Sequence, residues 1–172
     1  MGSQERADPG PSRGCGLIRS ATEKDVPIIL DLIKQLADYE RLSDKVTATE
    51  EQVRETLFGE RPAAEVLLAS SHEETVGFAV FFTNYSTFLA KPGLYLEDLF
   101  VKPHSRGKGI GKALLAQLAK IALERDCGRV QWAVLNWNKP SLGFYEALGA
   151  VPLSEWTTYR LDGEPLKRLA GQ

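Results

Sequence analysis

The chain has 172 residues, with 21 Lys and Arg against 23 Asp and Glu, and its formal net charge is −2. This balance excludes the strongly basic surface by which many proteins hold nucleic acid, and no apolar run approaches the roughly 20 residues of a membrane-spanning helix. The two lone cysteines, Cys15 and Cys127, favour a reducing, cytoplasmic compartment over a disulfide framework. The histidines form no metal-ligand spacing with them, so we predict no metal site.

The chain opens with a polar leader. Residues 1–16 are rich in Gly, Pro, Ser and charge, and we expect them to be disordered. A single domain is expected over residues 17–172, a length that suffices to bury a real core. Leu17–Ser20 predicts its first strand.

Two helices and a hairpin follow in the predicted order. Thr22 and Asp25 resemble a capping box before an apolar helical stripe that ends near Tyr39. Thr49 begins a second helix, and Gly59 ends it. Two alternating apolar runs then predict a hairpin of two strands, over residues 65–70 and 75–82, and residues 84–93 are predicted to be a loop.

The next stretch organises the domain as a strand, a glycine-rich turn and a helix. Apolar residues predict a strand up to Val101, which Pro103 ends, and a helical stripe begins at Ile110. In the turn, three glycines permit torsions that a Cβ resists, namely Gly107, Gly109 and Gly111. The free backbone N–H groups of such a turn, beside the positive end of a helix dipole, suit a diphosphate.

Two common diphosphate motifs do not fit this turn. A P-loop needs a glycine where the chain has Arg106 and a hydroxyl where it has Ala113. A dinucleotide fingerprint needs its third glycine where the chain has Lys112 or Leu114. The pattern that remains is Arg106-x-x-Gly109-x-Gly111, directly after a strand.

The carboxyl-terminal part predicts a strand over residues 129–135, a helix that starts near Pro140 and ends at Gly149, and a last strand over Trp156–Leu161. The predicted order is β-α-α-β-β-β-α-β-α-β. It indicates an α/β fold with a mixed, mostly antiparallel central sheet and helices on both faces.

The turn pattern and the element order resemble the GNAT superfamily of N-acetyltransferases from Leu17 to the end of the chain. Further stretches are similar to its diamine/spermidine branch, which includes relatives that acetylate thialysine and other lysine-like amines. These stretches are Leu32 to Glu40, Tyr95-Leu96-Glu97-Asp98, Trp137-Asn138-x-Pro140-Ser141-x-x-Phe144-Tyr145 and Lys167-Arg168-Leu169-Ala170. The resemblance implies acetyl-CoA as cosubstrate, a small-molecule amine as acceptor, no metal, and a homodimer, for which the exposed aromatic residues expected on the last strand are suited.

The resemblance also implies site residues. Acetyl-CoA would be held by Leu99, Phe100, Val101, Arg106, Gly107, Lys108, Gly109, Ile110, Gly111, Lys112, Asn138 and Ser141. The amine would be bound by Tyr39, Glu40, Glu97, Gln131, Trp132, Ala133 and Glu155. The sequence departs from the branch at two places. The segment around Glu155 is shorter than in the branch, and Phe88 stands where relatives often have Trp. Both departures bear on which amine is bound.

The implied chemistry is acyl transfer from a thioester to a primary amine. A lysine-like ammonium has a pKa of about 10.4 and must lose a proton before it attacks. Glu97 is the predicted base, directly or through water, and Tyr145 is the implied acid that protonates the departing thiolate. By resemblance, a bulge frees the backbone N–H of Leu99 for the oxyanion. An acidic trough for a polycation is predicted from Asp38, Glu40, Glu97, Asp98 and Glu155.

The sequence therefore predicts an acetyl-CoA-dependent N-acetyltransferase that acts on a small polyamine, diamine or lysine-like amine. Two alternatives stay open. One is a protein or peptide N-acetyltransferase, which a groove without several carboxylates would favour. The other is a non-catalytic acyl-CoA binding module, which would keep the glycine turn and lose Glu97 and Tyr145.

Overall fold

The computed structural model describes residues 17–171, and these divide into two compact units, one that ends at Ala133 and one that begins at Val134. The disordered leader expected over residues 1–16 lies outside the described residues. None of the described helices combines the length and the apolar character that crossing a membrane requires.

The first unit is an α/β sandwich built on one sheet. Its elements are β1 (Leu17–Ser20), α1 (Val26–Tyr39), α2 (Glu50–Phe58), β2 (Glu65–Ser71), β3 (Glu74–Ser86), β4 (Lys91–Val101), α3 (Ile110–Glu124) and β5 (Val130–Trp132). The strands lie in the order β1-β2-β3-β4-β5; the first four are antiparallel to their neighbours, and β5 runs parallel to β4. The predicted mixed, mostly antiparallel sheet is confirmed.

Both predicted helix starts are capped as the sequence indicates. The backbone N–H of Thr22 donates to Asp25 Oδ2 at 2.7 Å, and this box opens a short 3-10 turn that leads into α1. At α2, Thr49 Oγ1 accepts from the Gln52 N–H at 3.3 Å while the Thr49 N–H donates to Gln52 Oε1 at 3.0 Å. These reciprocal bonds satisfy N–H groups that have no partner within the helix.

The sheet separates two apolar cores. On one face, α1 and α2 pack against Val66, Leu68, Phe78, Val80 and Phe100. On the other face, α3 packs against Leu67, Ala69, Ala79, Phe81, Leu94 and Leu96. Because alternate residues of each strand point to opposite faces, β2 and β3 supply both cores. The predicted placement of helices on both faces is confirmed.

A bulge interrupts the ladder between β3 and β4. Val80 lies opposite Asp98, whereas Phe81 lies opposite Leu96, so Glu97 is the extra residue. The alternation of β4 is inverted across it: Leu96 packs on the α3 face before the bulge, and Phe100 packs on the α1 face after it. A bulge of this kind bends the strand and redirects its side chains.

The hairpin of β3 and β4 is longer than the sequence predicts. The loop expected over residues 84–93 is wrong, because Asn84 pairs with Gly93 and Tyr85 with Pro92, and only residues 87–90 connect the strands. Residues that favour turns are held here in a ladder, since the neighbouring strand pairing overrides local preference. The strand expected over residues 129–135 is in turn restricted to Val130–Trp132.

The second unit contains α4 (Lys139–Ala147) and α5 (Gly163–Leu169), and its described residues contain no strand. The last strand expected over Trp156–Leu161 is therefore wrong, and α5 was not predicted. Aromatic residues suggested the strand, but Trp156 is 73% and Tyr159 91% exposed. Strand preference reflects a fit to a half-buried, paired surface, which these residues lack here.

Candidate active site

The turn before α3 is shaped to leave backbone N–H groups available. Gly107 and Gly109 have φ values of 73° and 81°, and Gly109 is the N-cap of α3 with no side-chain cap. A Cβ on either glycine would meet nothing within 4 Å, so the left-handed torsion is what favours glycine there. Gly111 differs from the expectation, because it lies in the first helical turn and has no positive φ.

Two exposed lysines add positive charge to this end of α3. Lys108 precedes the helix and Lys112 lies in its first turn, and no salt bridge among residues 17–171 involves either side chain. Cations at the positive end of a helix dipole are unfavourable unless an anion is present. Together with the uncapped N–H groups, they make this turn a suitable site for phosphate.

One edge of β4 is open beside the turn. β5 pairs with β4 only from Leu94 to Leu96, so residues 97–101 have no strand partner on that side within the described chain. Phe100 is buried on the α1 face, while Leu99 and Val101 pack on the α3 face. The expected cofactor residues Leu99, Phe100 and Val101 therefore offer backbone groups rather than side chains. An extended, amide-bearing chain could pair with such an edge.

The bulge brings two adjacent carboxyl groups into different environments. Glu97 is exposed, whereas Asp98 is partly buried on the α1 face, opposite Val80. Burial, followed by the nearby charges of Glu97 and Glu40, raises the pKa of Asp98 from 3.8 to about 6. Burial also raises the pKa of Glu40, the residue that follows α1 as its C-cap. These three acids form a cluster, which we call the acidic cluster.

Aromatic side chains border the acidic cluster. The ring of Tyr95 lies 5.3 Å from that of Phe82 across the β3–β4 ladder, and burial and the charge of Glu97 raise the pKa of Tyr95. The ring of Tyr39 lies 4.4 Å from the guanidinium carbon of Arg106. The structure thus brings Tyr39 and Glu40 at the end of α1 close to Glu97 and Arg106, which lie in a distant segment of the sequence. Cations bind well where carboxylates and ring faces adjoin.

The residues on and after β5 that were expected to bind the amine contribute in part to the sheet and its core. Gln131 lies opposite Tyr95 and Trp132 opposite Leu96 on the neighbouring strand. Trp132 packs against the core under α3, so its indole contributes to packing. Ala133 follows the strand and is exposed.

In the second unit, the expected site residues lie on and after α4. Asn138 is buried, and its Oδ1 accepts from the Ser141 N–H at 3.4 Å, which caps α4. The ring of Tyr145 lies 5.2 Å from that of Phe144 on the same helix. Glu155 is exposed, in a segment without regular structure. An N-cap explains Asn138 structurally as well as a ligand would.

Asp98 is the site residue that sequence reasoning undervalued. The sequence placed it only in a general acidic trough and as the neighbour of Glu97. In a regular strand the two side chains would face opposite sides of the sheet, and the bulge changes that relation. An extra residue in one strand leaves no local mark in the sequence, so only the resemblance indicated it.

Comparison with known proteins identifies the family. Residues 31–150 match the model of the Acetyltransferase (GNAT) family. The chain is 41% identical to thialysine N-epsilon-acetyltransferase of Bos taurus, over 91% of this chain and 98% of the relative. It is 37% identical to L-ornithine N5-acetyltransferase of Arabidopsis thaliana, over 88% of this chain and 86% of that protein.

Solved structures agree with these matches. An integron cassette protein from the mobile metagenome of V. cholerae superposes with a TM-score of 0.78 at 29% identity, and the match covers 91% of this chain and 98% of that one. The family match spans more than half of the chain, from α1 to the end of α4, and includes the acidic cluster and the glycine turn. The chain belongs to the Acetyltransferase (GNAT) family and is an acetyltransferase.

Proposed function

We propose that this acetyltransferase transfers the acetyl group of acetyl-CoA to a primary amine of a small diamine, polyamine or lysine-like amine. The observation that carries the proposal is the acidic cluster of Glu40, Glu97 and Asp98 beside the open edge of β4. An acceptor with a second positive charge is recognised by several carboxylates close together. The relatives named for thialysine and L-ornithine support an acceptor of this class.

Acetyl-CoA is proposed to bind along β4 and the turn that follows. The open edge of Leu99, Phe100 and Val101 supports pairing with the amide groups of the pantetheine arm. The uncapped turn supports a pyrophosphate site, for which we propose Arg106, Gly107, Lys108, Gly109, Ile110, Gly111 and Lys112. Asn138 and Ser141 are proposed as further cofactor contacts.

The proposed chemistry is direct attack of the amine on the thioester. The amine passes a proton to the Glu97–Asp98 pair, and its nitrogen forms a bond to the carbonyl carbon. The backbone N–H of Leu99, just after the bulge, is proposed to stabilise the oxyanion. When the carbon–sulfur bond breaks, Tyr145 is proposed to donate its phenolic proton to the CoA thiolate. The negative charge of Glu97 contributes to the raised pKa of Asp98.

The amine is proposed to lie between the end of α1 and β4. Tyr39 offers a ring face and Glu40 a carboxylate, and the placement of both beside Arg106 and Asp98 supports this role. Gln131 is proposed to contact the acceptor, and Trp132 and Ala133 to line its path. Glu155 stays a proposed contact for the far end of a longer amine.

We also propose a cytoplasmic location and a homodimer. The free, partly buried thiol of Cys127 supports a reducing compartment. Exposed aromatic side chains of the second unit, Trp156 and Tyr159, support an association surface.

The test is release of CoA from acetyl-CoA with a panel of acceptors: diamines, spermidine, thialysine, ornithine, lysine and a lysine-containing peptide. We expect saturable turnover with at least one small amine, and a higher KM for that amine in Glu40→Gln. Glu73→Gln is the matched control, because Glu73 is exposed in the β2–β3 turn. Turnover with the peptide alone would overturn the acceptor class. Binding of acetyl-CoA without any turnover would overturn catalysis on these amines.

A further inference from the structure

Arg106 joins three elements of the first unit. Its Nε donates to the carbonyl oxygen of Val101, the last residue of β4, at 2.9 Å. Its guanidinium carbon lies 4.4 Å from the ring centroid of Tyr39, the last residue of α1, and 5.5 Å from that of Phe100. A guanidinium at such distances is attracted to the negative face of a ring. The side chain thereby connects the turn before α3 with the end of α1.

The end of α1 is a tight reversal of the chain. After Glu40 the chain reverses through Arg41, a residue with a Cβ held at a φ of 62°. The Leu42 N–H then donates to the carbonyl of Ala37 at 2.8 Å. This bond and that of the Arg41 N–H to the carbonyl of Asp38 close the helix end around the left-handed residue. Arg106 adds a side-chain contact from another element at Tyr39, one residue before Glu40.

The guanidinium of Arg106 packs on aromatic rings beside the acidic cluster. No salt bridge in the described part of the chain joins Arg106 to Glu40, Glu97 or Asp98. The groups that contact its guanidinium are two rings and a backbone carbonyl. Arg106 therefore holds the end of α1 without neutralising the carboxylates that a cationic acceptor would need.

We propose that Arg106 is a positioning residue of the amine site, which acts through the ring of Tyr39 to fix Glu40 opposite the Glu97–Asp98 pair. This inference rests on the proposed function and adds a role to the cofactor contact already proposed for Arg106. A lysine in its place keeps the charge but lacks the planar group that stacks on a ring and bonds a carbonyl at the same time.

The test is a double-mutant cycle with Arg106→Lys and Tyr39→Leu, using the amine that the wild-type protein acetylates best, at saturating acetyl-CoA. We expect Arg106→Lys to raise the KM for the amine about fivefold, the ratio that corresponds to one exposed cation–ring contact, while kcat changes less than twofold. In the Tyr39→Leu background, the same substitution should raise this KM no further. Calorimetric titration with CoA measures separately whether Arg106→Lys weakens cofactor binding.

Arg125→Lys is the matched control, since Arg125 also lies over a ring, that of Phe81, but pairs with Glu65 outside the site. It should leave the KM for the amine unchanged. An equal rise of that KM in both backgrounds, or weaker CoA binding as the sole effect of Arg106→Lys, would overturn the positioning role while the proposed function stands. A wild-type protein that acetylates none of the amines would overturn both.

Discussion

At the scale of single residues, Asp98 combines a cost in stability with a use in chemistry. Its pKa is raised from 3.8 to about 6 by burial and by the charges of Glu97 and Glu40. The folded state therefore binds a proton more tightly than the unfolded chain does. The free energy of unfolding therefore falls as the pH rises from 3.8 to about 6, and the full cost is present above pH 6 and absent below pH 3.8.

Replacement of this carboxyl should therefore stabilise the fold and impair turnover. For Asp98→Asn we expect a free energy of unfolding about 1 to 3 kcal/mol higher at pH 7, and no gain near or below pH 4, as measured by urea denaturation. The turnover of the best amine should fall at the same time. Glu73→Gln serves as the control and should change neither quantity. Equal gains at both pH values would contradict the raised pKa of Asp98.

Glu97 should influence the pH at which Asp98 ionises. Glu97→Gln removes a negative charge that raises the pKa of Asp98, so the acidic limb of kcat/KM should move to lower pH as kcat falls. In the wild-type protein that limb should rise through about pH 6, because Asp98 must be ionised to take part in accepting the proton. A profile that Glu97→Gln does not displace would show that the two carboxyl groups do not act together.

Tyr145 should affect the chemical step and not the binding of acetyl-CoA. Tyr145→Phe removes only the phenolic proton donor, so kcat should fall about 100-fold or more. The dissociation constant for acetyl-CoA, measured by calorimetry, should stay within twofold. Phe144→Leu, a change at the neighbouring ring, is the control for packing on α4. Full activity in Tyr145→Phe would remove the acid role.

At the scale of elements, the sequence predicted those features that depend on neighbours in the chain. The caps at Thr22 and Thr49 and the left-handed Gly107 and Gly109 are local, and their residue types reveal them. The bulge, the long hairpin and the open edge of β4 depend on pairing between distant strands. Asp98 was undervalued for the same reason, because the bulge decides which face it occupies.

Replacement of glycine by alanine should change stability in opposite directions at Gly109, in the turn before α3, and at Gly143, inside α4. Gly109→Ala places a Cβ at a φ of 81° and should lower the free energy of unfolding by about 1 to 2 kcal/mol and weaken acetyl-CoA binding. Gly143→Ala, inside α4 and with open space around it, should raise stability by about 0.5 to 1 kcal/mol. Urea denaturation and calorimetry measure both. A stabilising Gly109→Ala would contradict the left-handed turn.

At the scale of the whole molecule, the two units differ in how their apolar residues are used. The first unit buries two cores against its sheet. The second exposes large apolar side chains over most of its length, among them Val151, Leu153, Trp156, Tyr159 and Leu169. Surfaces of this kind are typical of association. The sequence indicated the aromatic residues correctly, but it assigned them to a strand that is not formed.

The proposed homodimer makes these residues testable. We expect the wild-type protein to sediment as a dimer and the double variant Trp156→Ser, Tyr159→Ser to sediment as a monomer, because the substitutions remove exposed apolar area. Phe88→Ser is the control, since Phe88 is equally exposed but lies at the tip of the β3–β4 hairpin. A monomeric wild-type protein at all concentrations would overturn the proposal.

The bulge at Glu97 also determines what a change in the length of this strand would do. Residues before it send even-numbered side chains towards α3, and residues after it send odd-numbered ones there. Deletion of Glu97 would restore an uninterrupted ladder, because Leu96 already lies opposite Phe81 and Asp98 opposite Val80. Phe100 would keep its partner Phe78 and its place under α1. The strand can therefore lose this residue without exchanging its core faces, and the expected loss is that of the carboxylate and the bulge on which the proposed chemistry depends.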